Sequence, residues 1–170
     1  AEGSADSNGR AFWALGETAC NCEHEQVRLW AIALAKQVGP AVASLTSLRA
    51  QCFTILGTVS LLRGEPHNLS AYDTLVDHAE GLMLRFETHS APTWQWLEPN
   101  LSYDNARIPQ ALIAAGVSLA RPDMLAMGLK TLAWLDTIQK APNGFFRAVG
   151  SSTPPIDFAP PRLLDQQPIE

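Results

Sequence analysis

The chain has 170 residues, 46% of them hydrophobic and 17% charged, with a formal net charge of -5. That length and apolar content suit one domain with its own core. Twelve lysines and arginines spread along the chain form no basic stripe for phosphate backbones, so nucleic acid is not an expected partner. The apolar stretch from Cys52 to Leu62 ends at Arg63-Gly-Glu-Pro-His. It falls short of the ~18–20 apolar residues that a bilayer span needs.

The predicted elements are nearly all helices, because apolar residues recur at helical spacing and β-branched alternation is scarce. The first runs from about Ser7 to Cys20, with Phe12, Trp13, Leu15 and Ala19 on its apolar side and Ser7 or Asn8 as cap. The second, from near Glu23 to Val38, places Val27, Trp30, Ala31 and Leu34 on one face and is expected to end at Gly39-Pro40. The third, Ser47 to Leu62, is apolar around much of its circumference and so should be enclosed by neighbours, with Ala43 to Thr46 as a backward extension. An amphipathic fourth helix follows from about Ser70 to Phe86. The fifth, Asn105 to Leu119, carries Pro109 in its first turn, where a missing N–H costs little. The sixth runs from Pro122 to Lys140 and stops before Asn143-Gly144. Residues 143–164, rich in Gly, Ser, Thr and Pro, read as a long irregular loop.

Cys20, Cys22 and Cys52 are odd in number and lack Cys-x-x-Cys spacing, which fits a reducing cytoplasm. The four histidines form no HExxH or i, i+4 pair, so neither a metal nor another cofactor is expected. With no initiator Met and an end just after a Pro-Ile step, residues 1–170 read as a single all-α domain cut from a longer protein.

The chemistry concentrates in Trp94-Gln-Trp96-Leu-Glu98-Pro-Asn-Leu-Ser-Tyr103-Asp104-Asn105-Ala-Arg107. A helix start needs at most one capping side chain, and this one brings Glu98, Tyr103, Asp104, Asn105 and Arg107 together. Aromatic faces flanked by carboxylates and amides suit a sugar, whose hydroxyls need donors and acceptors while its C–H faces need an apolar plane. The alternative is a well-capped helix beside two buried tryptophans.

Three helix entrances resemble one another: Ser7-Asn-Gly-Arg10, Thr46-Ser-Leu-Arg49 and Asp104-Asn-Ala-Arg107, leading to Gly16, Gly57 and Gly116 respectively. Enclosed helices thus alternate with amphipathic ones, which predicts about three antiparallel hairpins, as in toroids and solenoids. In such an array the polar entrances gather at one mouth; otherwise each is a cap beside an exposed arginine.

Four segments carry a family resemblance: Asp6-Ser-Asn-Gly-Arg10-Ala-Phe-Trp-Ala-Leu-Gly16, Leu101-Ser-Tyr-Asp-Asn-Ala-Arg-Ile-Pro-Gln-Ala-Leu112, Asn143-Gly-Phe-Phe-Arg-Ala-Val-Gly150 and Asp165-Gln-Gln-Pro-Ile-Glu170. The chain resembles the α-helical domain on the C-terminal side of bacterial glycosyltransferase-like proteins. That domain is related to the (α/α)6 toroids of six-hairpin glycosidases and N-acylglucosamine 2-epimerase-like enzymes. The resemblance implies about half of such a toroid, with sugar-contacting groups at Asp6, Arg10, Tyr103, Asp104, Asn105, Asp165, Gln166 and Glu170. The chain departs from the family pattern at Ala5, where the pattern has an acidic residue.

Three functional readings follow. In a sugar-active enzyme, Glu98, Asp104 and Glu170 are the candidate acid and base, with Asp6, Arg10, Trp13, Trp96, Tyr103, Asn105, Arg107, Asp165, Gln166 and Gln167 binding substrate. In a glycan-binding module the same groups hold sugar without breaking bonds. A helical scaffold for protein association, including a homo-oligomer, is the reading from outside carbohydrate chemistry.

Overall fold

A computed structural model describes residues 3–148. They form six helices: α1 (Ala5–Asn21), α2 (Glu25–Ala43), α3 (Leu48–Gly64), α4 (Leu69–His89), α5 (Arg107–Ser118) and α6 (Pro122–Ile138). Helices are the only extended regular structure among the described residues; residues 90–106 and 139–148 are turns and irregular chain, with two isolated β-bridges, Ala91 with Trp94 and Lys140 with Phe146.

Each helix packs on its successor in three pairs, α1 with α2, α3 with α4 and α5 with α6, while α3 also lies against α1 and α5. Apolar residues around the whole of α3 explain its place. It is buried from Leu48 to Ala50 and from Cys52 to Leu61, including the polar Thr54, Thr58 and Ser60. The Thr54 and Thr58 hydroxyls donate to the carbonyls four residues back, so their burial leaves no donor unmet. Two apolar clusters flank this central helix. Ile55, Val59, Leu75, Leu82, Phe86, Trp96, Ile108, Leu112, Met124 and Leu135 form the larger, and Phe12, Ala31, Ala35, Val42 and Leu61 the smaller.

The α1 and α3 axes approach closely because Gly16 and Gly57 meet. A Cβ on Gly16 would come within 2.1 Å of the Gly57 carbonyl oxygen, and one on Gly57 within 2.8 Å of the Trp13 Cα. The glycines that close the first two sequence repeats therefore mark a backbone contact. Gly116 does the same against α6, where an added Cβ would lie 2.5 Å from the Leu125 nitrogen.

Several boundaries differ from the sequence reading. Ser4, not Ser7 or Asn8, caps α1, accepting from the Ser7 N–H. Gly39-Pro40 does not end α2, which continues to Ala43. Proline there removes one hydrogen bond, to the carbonyl four residues back, in a helix with barely one turn left to run. The extension sought for α3 over Ala43 to Thr46 belongs instead to the end of α2 and its turn. Asn68 caps α4, and α5 starts at Arg107, two residues later than expected, because Ser102 to Asn105 closes on itself first. Most of the expected loop over 143–164, together with Asp165, Gln166, Gln167 and Glu170, lies outside the described residues.

Candidate functional site

The starts of α1, α3 and α5 meet at one end of the helices, with the segment 94–106 closing over them. Asp6 and Arg10 lie in the first turns of α1, Ser47 and Arg49 at the start of α3, and Arg107 opens α5.

Arg49 is the centre of the cluster. Its residue surface is 2% exposed, and the guanidinium spans the segment that precedes α5. Nε donates to the Tyr103 carbonyl at 3.0 Å, Nη2 to Ser102 Oγ at 2.8 Å and to Asn105 Oδ1 at 3.0 Å, and Nη1 to Glu98. A planar fork with five donors is the side chain that can hold four groups of one loop at once. Asn105 completes the closure: its Oδ1 also accepts from the Ser102 N–H at 3.1 Å, and its Nδ2 donates to the Ser102 carbonyl at 2.9 Å.

Asp104 holds the second knot. Oδ2 accepts from Arg10 Nη2 at 2.9 Å and Oδ1 from Arg107 Nε at 3.1 Å. The carboxylate is nearly covered, at 6% exposure, whereas the two arginine side chains keep 37% and 34%. Each guanidinium also lies on an aromatic ring, Arg10 over Phe53 at 4.1 Å and Arg107 over Trp13 at 4.9 Å, and the two rings stack at 6.1 Å. Asp104 has φ 49, in the left-handed region that aspartate tolerates better than most side chains. That backbone turn aims its carboxylate back between α1 and α5.

Asp6 forms the third contact, accepting from the Tyr103 hydroxyl and, at 3.4 Å, from Ser47 Oγ. Burial first, then the bond to Asp6, pushes the Tyr103 phenol up to about 12. Cys52, one turn below Arg49, is pushed up to about 12 by burial, so it packs as a thiol.

The structure thus brings together Asp6, Arg10, Trp13, Glu98, Tyr103, Asp104, Asn105 and Arg107. Trp96 is the exception. It is wholly enclosed, stacked on Trp134 at 5.9 Å in the larger apolar cluster, so the expectation of a sugar-facing Trp96 is corrected: it anchors the segment from beneath. Trp13 is half-buried and already carries Phe53 and the Arg107 guanidinium, which limits it to an edge contact. Arg49 was not among the expected site residues. The entrance repeat contained it, at Thr46-Ser-Leu-Arg49, without its being named for the site. Among the described residues no group of three or more His, Cys, Asp or Glu could hold a metal ion, and no helix is long and apolar enough to cross a membrane.

Comparison of the chain with protein families, with curated proteins and with solved structures finds no match in any of the three.

Proposed function

We propose that this mouth is a carbohydrate-binding site, carried by three antiparallel helical hairpins that make up about half of an (α/α)6 toroid in a glycosyltransferase-associated protein. The observation behind it is the contact of Arg10 with Asp104: side chains 94 positions apart join two helix entrances into one polar surface. Binding is favoured over bond breaking, because both Asp104 oxygens and one of Glu98 already accept from arginines. A general acid or base needs an oxygen within reach of the substrate proton. A saccharide needs alternating donors and acceptors at a rim, and Arg10, Arg107, Tyr103, Glu98 and the exposed Gln110 supply them. Glycan-array and calorimetric screening of the protein tests the reading, with Arg10→Ala as the control variant. Saccharide binding that Arg10→Ala weakens supports it; the absence of binding to any saccharide overturns it.

A second reading rests on the face below the mouth. Trp13, Leu56, Val59, Ile113, Ala114 and Val117, edged by polar groups that include Glu17, Arg63 and Gln110, line a groove of about 460 Å³ between α1, α3 and α5. Burying that groove against a second copy of the chain makes a homo-oligomeric scaffold. Light scattering at rising concentration decides it: a mass that climbs to twice the monomer supports association, and a constant monomer mass rejects it.

A further inference from the structure

We propose that the mouth selects uncharged saccharides and discriminates against phosphorylated, uronic and nucleotide-linked sugars. This deepens the carbohydrate reading above and rests on it. Among the described residues the cluster holds three guanidiniums, Arg10, Arg49 and Arg107, and three carboxylates, Asp6, Glu98 and Asp104. Each arginine is bonded to a carboxylate of the cluster, Arg49 to Glu98, and Arg10 and Arg107 both to Asp104. The third carboxylate, Asp6, accepts from hydroxyls of Tyr103 and Ser47. The formal charges therefore cancel within the cluster.

An incoming anion gains little there. To reach Arg10 and Arg107 it must compete with Asp104, which already sits between them at 2.9 and 3.1 Å and is almost covered by protein. It also meets the Asp6 and Glu98 carboxylates on the same rim, and like charges brought together at a partly covered site oppose binding. What the cluster leaves open is neutral in sum. Arg10 Nε and Nη1 and Arg107 Nη2 are donors without a partner among the described residues, and Glu98 Oε1 is an open acceptor. Hydroxyls both donate and accept, so a polyol satisfies such a set without disturbing the ion pairs. Selectivity here comes from a repulsive element, the fixed carboxylates, as much as from new contacts.

Calorimetry on the intact protein tests this with two panels: neutral mono- and trisaccharides of glucose, mannose and N-acetylglucosamine, against mannose phosphate, glucuronic acid and UDP-glucose. The expected result is neutral binding insensitive to salt, with charged counterparts at least about tenfold weaker. Asp104→Asn replaces the carboxylate with an amide of the same shape, in a residue type also tolerated at positive φ, leaves two guanidiniums uncompensated and is expected to bind inorganic phosphate in a salt-sensitive manner. Circular dichroism confirms that this variant is folded. Charged sugars binding as tightly as neutral ones to the native protein overturn the selectivity while leaving the carbohydrate site intact. Failure of both panels overturns the carbohydrate reading itself.

Discussion

Removing the Arg49 guanidinium strands four partners at once. Glu98 loses its cation, and Ser102, Tyr103 and Asn105 each lose a donor. Arg49→Met is expected to lower unfolding free energy by ~1–3 kcal/mol, the usual cost of leaving buried hydrogen-bonding groups unmet, because Glu98 keeps 29% side-chain exposure and can be hydrated. Urea denaturation measures it. Arg49→Lys keeps the charge but not the fork, and falls between the two. His78 gives a second expectation. Burial lowers its pKa below the ordinary 6.5, opposed by its bond to the Val42 carbonyl and by Asp77. The unfolded chain therefore takes up the proton before the folded one, so His78 costs nothing above pH 6.5 and destabilises the fold as pH falls below it. The urea midpoint should drop in acid by more for the native protein than for His78→Gln. The groups that meet at the mouth were legible where a helix start carried more polar residues than capping requires, as at Tyr103, Asp104 and Asn105. Arg49 was harder to single out, because arginine is mostly exposed and burial of one at a helix start depends on partners from a distant loop. The entrance repeat, read for what it places rather than for what it exposes, was the signal.

Helices were legible through apolar spacing, and their ends were less so, because tertiary contacts override local stop signals. At Gly39-Pro40 the sequence carries both familiar breakers, yet Val42 remains helical because its side chain is needed in the smaller apolar cluster. At Gly16 and Gly57 glycines within helices permit a backbone contact between α1 and α3. Gly57→Ala is therefore expected to destabilise despite alanine's better helix propensity. The new methyl would meet the Trp13 Cα at 2.8 Å, and overpacking of this kind costs ~1–3 kcal/mol. Thermal melting checks it, with a fall of roughly 2–4 °C per kcal/mol for a chain of this size. Gly39→Ala, where an added Cβ meets nothing within 4 Å, is the matched control and should leave the melting temperature unchanged or higher.

Across the whole molecule, the all-helical class and the gathering of three helix starts at one end followed from the alternation of enclosed and amphipathic helices. The charge pairing at that end did not, since no sequence pattern tells which arginine will meet which carboxylate across 50 or 90 positions. Saccharide binding at this mouth requires the rim of Arg10, Arg107 and Trp13 to face the ligand. Nitrogen-15 NMR of the arginine Nε and tryptophan Nε1 signals, recorded while a neutral trisaccharide is added, addresses this most directly. The account predicts saturable shifts of Arg10, Arg107 and Trp13, with Trp96, enclosed in the core, unmoved. Shifts confined to tryptophans remote from the mouth, such as the exposed Trp30, or no shift at all, would contradict it.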